Sequence, residues 1–462
     1  MTLKVIFNGR PMVTKTQFAK LGLFDAKVPR YTSYPTAPHF SNDVAPTDFE
    51  GWVKAIPAGN SISLYIHVPF CRRLCWFCAC RTQGTQSDDP VRVYLQTLKA
   101  EIASLGQILP EGVTLSRLHW GGGTPTLLSA EMMTDLAEAI AAIAPFAKGY
   151  EFSVEIDPNE IDEARLDALA AAGMNRASIG VQDFDDEIQQ TIGRIQSFEV
   201  TKKAVDMIRA RGINSLNADI LYGLPHQSKE RINESVQKLL SLSPDRVALY
   251  GYAHVPWMAK RQQMIPSDAL PTPEERLDLF EAARQLFMWD GYTEIGIDHF
   301  ALKGDGLDVA LRTGKLRRNF QGYTDDTAEV LIGLGASSIS RFPQGYAQNA
   351  SSTSAYTSAV RAGQFATARG HTFKGRDLMR GRIIEMLMCT FGIDGDELQR
   401  TYGLGMATLM AYYNEVATKY EGMIEIVGTQ LTIKPDARAM TRIIARDFDA
   451  YDLSKAGHSS AI

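Results

Sequence analysis

The chain has 462 residues, of which 45% are hydrophobic and 22% charged, with a net charge of −5 and a pI near 6.0. These values describe an ordinary globular protein and exclude disordered and collagen-like chains, while the acidic balance excludes a global positive field for nucleic acid. No apolar run approaches the roughly 20 residues that cross a bilayer, and Asn8, Arg10 and Pro11 interrupt the start before any signal-like core forms, so a cytoplasmic protein without a membrane span is expected.

In chain order, residues 1–55 read as an arm: "VPRYTSYPTAPHFS" carries prolines and small polar residues that oppose regular structure. Residues 56–369 then alternate strand-like and helix-like segments. The strand candidates are "SISLYIHVPF", "SRLHWGGGT", "YEFSVEID", "NRASIGVQDF", "SLNADILYGLP" and "DRVALYGYAH"; amphipathic patterns such as "SAEMMTDLAEAIAAI" and "FEVTKKAVDMIRARG" lie between them. A βαβα alternation favours parallel strands with helices outside. Six units suit an α/β fold with a partial (β/α)6 barrel, an open doubly wound sheet being the alternative. Residues 370–462 read as a small, mostly helical domain containing the strand-like pair "IEIVG" and "QLTIKP". Cys389 lies in its apolar helix-like segment and is expected to be a buried core thiol.

The other four cysteines follow the first strand candidate with the spacing Cys71-x3-Cys75-x2-Cys78-x-Cys80. They are too close together for ordinary loop-closing disulfides. Zinc sites of four cysteines usually pair two separated knuckles, and the chain has no second knuckle. Successive thiolates on one loop instead suit an iron-sulfur cubane, each reaching a different iron. The spacing of Cys71, Cys75 and Cys78, with Phe77 beside them, resembles the signature of the radical S-adenosylmethionine superfamily. That resemblance implies one [4Fe-4S] cluster with an iron left open for the amino and carboxylate groups of S-adenosylmethionine, whose reductive cleavage gives a 5'-deoxyadenosyl radical.

"HWGGGTPT" follows the second strand, and glycines there let backbone approach a ligand closely. By resemblance, Gly122, Gly123 and Thr124 meet the amino group of S-adenosylmethionine. Alternation in "FSVEID" sets Glu155 opposite Phe152, Val154 and Ile156; a carboxylate at a barrel strand's inner or C-terminal end is expensive unless paired, so Glu155 is a site candidate. Gln182 and Asp219 take corresponding positions on the fourth and fifth strands. Each alone suits a satisfied structural polar group; together they suit a polar ring for the ribose and amino-acid ends of a ligand. Arg194 fits either an exposed cation or the partner of a carboxylate.

From "PRYTSYPTA" through "HVPFCRRLCWFCACRTQ", "GVQDF", "DILYGLP", "GYAHVP" and "RNFQGYT" to "YAQN", nearly the whole chain is similar to the oxygen-independent coproporphyrinogen III oxidase family. The resemblance implies oxidative decarboxylation of two propionates of coproporphyrinogen III to vinyl groups, giving protoporphyrinogen IX, with two S-adenosylmethionine molecules beside one cluster. It implies Cys71, Cys75 and Cys78 as iron ligands and Tyr65, Phe77, Gly122, Gly123, Thr124, Glu155, Gln182, Arg194, Asp219, Ala253 and Ile339 as contacts to those molecules. Cys80 is implied to be needed for activity without ligating iron. An external electron donor such as a flavodoxin or ferredoxin is implied, and a monomer is expected. Substrate carboxylates need cations, and Arg30, Lys315, Arg317 and Arg318 are the candidates. Ala79 stands where the family commonly has Gly, which could shift the loop slightly. Rival readings are a haem chaperone, a haem-opening radical methyltransferase and a zinc-binding structural module; Cys80 and the arm weigh against the chaperone.

Overall fold

The computed structural model describes residues 6–7, 10–11, 13–452 and 460–462 of the chain. Six strands, β1 (Ser61–Val68), β2 (Thr114–Gly122), β3 (Phe146–Ile156), β4 (Arg176–Gln182), β5 (Ser215–Tyr222) and β6 (Arg246–Gly251), lie side by side in that order and all run parallel. Parallel neighbours need crossovers, and helices α1 (Asp89–Ile108), α2 (Ala130–Ala141), α3 (Glu163–Ala171), α4 (Phe198–Arg209) and α5 (Lys229–Ser241) supply them. Ser129, Asp162, Ser197 and Ser228 cap α2 to α5 by accepting from a backbone N–H in the first turn, which fixes where each helix starts.

Alternation along the strands divides inside from outside. In β3, Phe152, Val154 and Ile156 are buried beneath the helices, while Ser153 and Glu155 face a cavity of about 260 Å³. Ser63, His119, Ser178, Asn217 and Tyr250 face the same cavity, so residues of all six strands share it. A sheet whose six strands line one cavity is curled, which is the partial barrel rather than a flat doubly wound sheet. Outside it, fully buried side chains such as Trp120 and Phe152 each contribute about 2–3 kcal/mol of apolar burial. The cavity's far end is closed by ion pairs: Arg117 with Asp325 at 2.8 Å, Arg176 with Glu151 at 2.7 Å and Arg246 with Asp305 at 2.6 Å. Arg117, Arg176 and Arg246 stand near the N-terminal ends of their strands, leaving the C-terminal ends free for chemistry.

The sheet continues past both ends of the parallel set. Tyr292–Ile295 and His299–Leu302 add antiparallel strands beside β6. On the other side Leu331–Leu334 runs parallel to β1, followed by Ile339–Phe342, Gly345–Asn349 and Thr367–Thr372, for twelve strands among the described residues.

The arm differs from its expected form. Thr14 and Gln17 make a capping box that starts a helix over Lys15–Lys20, and Pro46–Lys54 is helical as well. Phe18, Leu23, Val28, Tyr31 and Tyr34 pack into one core with Ile383, Leu387, Tyr413 and Ile443 from the C-terminal region, whereas Phe49 and Val53 join the barrel core. The arm therefore ties the C-terminal helices to the barrel instead of merely draping the barrel. The strand pair near the C-terminus forms as Ile424–Val427 and Gln430–Ile433, joined by a third strand at Gly392–Asp394. Cys389 is buried, as expected. No helix among the described residues is long and apolar enough to cross a membrane.

Candidate active site

The cysteine loop leaves the C-terminal end of β1. Phe70–Cys71 pairs with Gln83–Gly84, and Gln83 N–H donates to Pro69 O at 2.9 Å, so the loop closes on itself. Cys71, Cys75 and Cys78 are half-buried within it and Cys80 is more exposed. Arg194 Nη1 donates to Cys75 Sγ at 3.6 Å, and the Cys80 N–H donates to Cys78 Sγ at 3.4 Å. The neighbouring Cys80 thiol and N–H, with the nearby Arg261 and Arg194 charges, outweigh burial and hold the Cys78 thiol below its ordinary value. Burial pushes the Cys71 thiol up, against hydrogen bonds from Thr124 and Thr82. Three thiols on one loop, with N–H and guanidinium donors directed at sulfur, are the donor set of an iron-sulfur cluster. No group of three His, Cys, Asp or Glu side chains among the described residues could hold a single metal ion. Ala79 is not among the residues with positive φ, so the glycine freedom at that position is not needed here.

Beside the loop, the glycines of β2 make a cradle. Gly122 has φ +114°, and a Cβ there would lie 2.6 Å from the His67 ring; one on Gly123 would lie 2.5 Å from Phe70 O. Glu155 accepts from Gly122 N–H at 3.0 Å and pairs with His119 Nε2 at 3.4 Å. Burial pushes the Glu155 carboxyl up, but His119 and the Gly122 N–H together hold it below the ordinary value. Deep as it lies, 43% of the Glu155 side chain stays accessible because it faces the cavity. Tyr65 stacks on His119, its ring 5.7 Å away at 14°, and hydrogen-bonds His67 Nδ1 at 2.9 Å. Asp219, accepting from Asn217 Nδ2 at 2.9 Å, is pushed up to about 6 by burial.

Two further groups reach this mouth. Arg194 is buried, not exposed: Nη2 donates to Gly180 O at 2.8 Å and to Gln196 Oε1 at 2.9 Å, and Nη1 pairs with Asp157 at 3.6 Å. Gln182 ends β4 at φ +70°. Gln262, which the sequence does not single out, donates through Nε2 to Phe77 O at 2.6 Å and Ala253 O at 3.0 Å, joining two candidate contacts that are far apart in the chain. Ile339 starts the strand two places from β1.

A second cavity, of about 640 Å³, opens between the ends of β5 and β6, the arm and the C-terminal region. Arg30 and Arg318 line it; Lys315 and Arg317 do not. Lys315 is exposed in the loop before the strand Arg317–Asn319, and Arg317, whose neighbour Arg318 points to the opposite face of that strand, spends its guanidinium on the carbonyls of Gly314 and Leu316. Arg318 stacks on Tyr323 at 4.5 Å and lies 3.8 Å from Asp298, which bonds His299 at 2.7 Å. Tyr323 and His299 face the barrel cavity, so this group forms the wall between the two spaces. His119, Asp298 and His299 are site residues missed from sequence; His119 stood in "LHWGGGT", two places before the glycines, at an inward-facing position.

Residues 65–239 match the family described as the radical SAM superfamily, which defines the class of this barrel and its cysteine loop. Membership of that superfamily brings with it a [4Fe-4S] cluster and S-adenosylmethionine. The oxygen-independent coproporphyrinogen III oxidase of Paracoccus denitrificans is 66% identical over 98% of this chain and 100% of its own length. A relative of the same description from Cereibacter sphaeroides is 58% identical over 96% of this chain and 98% of its length. The solved structure of coproporphyrinogen III oxidase from Escherichia coli, described as a radical SAM enzyme, superposes with a TM-score of 0.87 at 34% identity, covering 92% of this chain and 100% of that one. The chain belongs to the oxygen-independent coproporphyrinogen III oxidase family.

Proposed function

We propose that the chain converts two propionates of coproporphyrinogen III to vinyl groups, releasing carbon dioxide and giving protoporphyrinogen IX without oxygen. The observation that carries this reading is the wall of Arg318, Asp298, His299 and Tyr323. It sets a carboxylate-binding cation between the barrel mouth, with its three thiols and glycine cradle, and a cavity large enough for a tetrapyrrole.

Cys71, Cys75 and Cys78 would hold the cluster. Gly122, Gly123, Thr124 and Glu155 would hold the amino-acid end of S-adenosylmethionine, Asp219 and Gln182 its ribose, and Phe77 with Ala253 its adenine, with Tyr65, Arg194 and Ile339 completing the contacts to two such molecules. When bound, these groups supply the electron and the 5'-deoxyadenosyl radical that takes a hydrogen atom from a propionate β-carbon. The substrate then loses carbon dioxide and passes one electron to an acceptor, which leaves the vinyl group. Arg30 and Arg318 would hold propionates. The electron would come from an external donor such as a flavodoxin or ferredoxin, and the working form would be a cytoplasmic monomer.

The test is anaerobic reconstitution followed by iron, acid-labile sulfide and S-adenosylmethionine titration. Four irons, four sulfides and two S-adenosylmethionine molecules per chain support the reading. Zinc without sulfide overturns it.

A further inference from the structure

Of the cations lining the 640 Å³ cavity, most have a carboxylate: Lys15 pairs with Asp278 at 2.6 Å, Arg284 with Glu281 at 3.0 Å, Arg438 with Glu294, and Arg318 lies beside Asp298. Among the described residues, three guanidiniums have no carboxylate partner and rest on main-chain carbonyls, Arg276 also lying over the Tyr222 ring at 5.7 Å. Arg30 Nη2 donates to Gly251 O at 2.6 Å. Arg276 reaches Gly223 O at 3.4 Å and Tyr252 O at 2.7 Å, and its buried Nε has no partner. Arg442 donates to Val28 O at 2.6 Å, Pro29 O at 3.1 Å and the carbonyls of Ser460 and Ala461.

Carbonyl dipoles orient a guanidinium but do not cancel its charge, and gathering like charges out of water is costly. The cost is visible here: burial, then repulsion from Arg30, lowers Arg442 to about 9 and shifts Arg276 downward as well. The acidic side chains that line the cavity cannot relieve it. Asp278, Glu281, Glu294 and Asp298 are already paired, and Asp436 accepts from Val13 N–H at 3.0 Å. A surplus of half-buried guanidiniums facing one large cavity calls for a ligand with more than one anionic group.

We propose that Arg30, Arg276 and Arg442 form a carboxylate-binding site that anchors the propionates not undergoing decarboxylation, leaving the reacting one to the Arg318 wall. This rests on the function proposed above and goes beyond it in assigning Arg276 and Arg442. Only one propionate reacts at a time, so the others must be held while it does. A site that holds them selects polycarboxylic tetrapyrroles and fixes which edge of the macrocycle faces the barrel.

The experiment measures equilibrium binding, by fluorescence quenching, of three stable porphyrins to reconstituted protein: coproporphyrin III with four propionates, protoporphyrin IX with two, and its dimethyl ester with none. Arg276→Gln weakens both free acids about tenfold or more, as loss of a charge-assisted pair requires, and leaves the ester as it was; Arg276→Lys gives a smaller loss. Iron content and melting temperature report folding, and if Arg276→Gln does not fold, Arg30→Gln is measured in its place with the same expectation. Unchanged affinity for both free acids overturns the proposal, and so does a loss confined to coproporphyrin III, which would put the reacting propionates here. Unmodified protein that binds none of the porphyrins contradicts the substrate assignment instead.

Discussion

Arg194 directs Nη1 at the sulfur of Cys75, 3.6 Å away, and the same guanidinium pairs with Asp157 and donates to Gly180 O. If Cys75 ligates the cluster as proposed, a buried cation facing its sulfur stabilises the reduced, more negative form. Arg194→Gln is therefore expected to move the midpoint potential negative, on the order of 50 mV, as read by an electron paramagnetic resonance titration. It leaves Asp157 without its cation, so the melt should show a loss of about 3 kcal/mol. An unchanged potential would mean that this contact does not reach the cluster.

Cys80 serves Cys78 with its backbone N–H, and a serine keeps that donor. Cys80→Ser should retain the full iron content and cluster spectrum while turnover falls by at least about a hundredfold, the scale of losing one proton-handling group. Loss of iron in that variant would make Cys80 a ligand.

Asp219 is raised by burial to about 6 from an ordinary carboxylate value near 4. The folded chain holds this proton more tightly than the unfolded one, so the stability it contributes is present at acid pH and is lost as pH rises through about 6. Asp219→Asn should accordingly stabilise the protein at pH 7.5 by up to about 3 kcal/mol, with the gain shrinking toward pH 5, while affinity for S-adenosylmethionine falls. Melts and titrations over that range check both parts. A carboxylate kept at such cost is expected in a binding site.

Glu101 in α1 accepts from Gly335 N–H at 2.8 Å, Asn349 Nδ2 at 2.7 Å and Tyr356 OH at 2.7 Å. It fastens the extension of the sheet beyond β1 to the barrel's first helix. Glu101→Leu strands three buried donors and should cost about 3 kcal/mol or more, whereas Glu101→Gln keeps an acceptor and should cost about 1 kcal/mol. Chemical denaturation distinguishes them.

The six parallel strands were legible because buried rows such as Phe152, Val154 and Ile156 alternate with Ser153 and Glu155, and because each following helix opens on Ser or Asp. The cysteine spacing and the glycines at Gly122 and Gly123 were legible for similar reasons: chemistry that needs sulfur, or a backbone without Cβ, restricts the residue. Arg276 and Arg442 were not, since a guanidinium's partner is set by tertiary packing and both look like ordinary helix cations along the chain. Lys315 and Arg318 show the same limit, as neighbours in one basic run with opposite exposure. Nor could the arm's shared core with the C-terminal helices be read from Phe18 and Tyr31, whose partners lie more than 300 residues away.

The most direct measurement is an anaerobic assay of the reconstituted protein with reductant, S-adenosylmethionine and coproporphyrinogen III, following 5'-deoxyadenosine and tetrapyrrole together. The structure predicts that both 5'-deoxyadenosine and protoporphyrinogen IX form, with carbon dioxide from two propionates. Stoichiometric haem binding with no turnover, or a methylated tetrapyrrole as product, would contradict it.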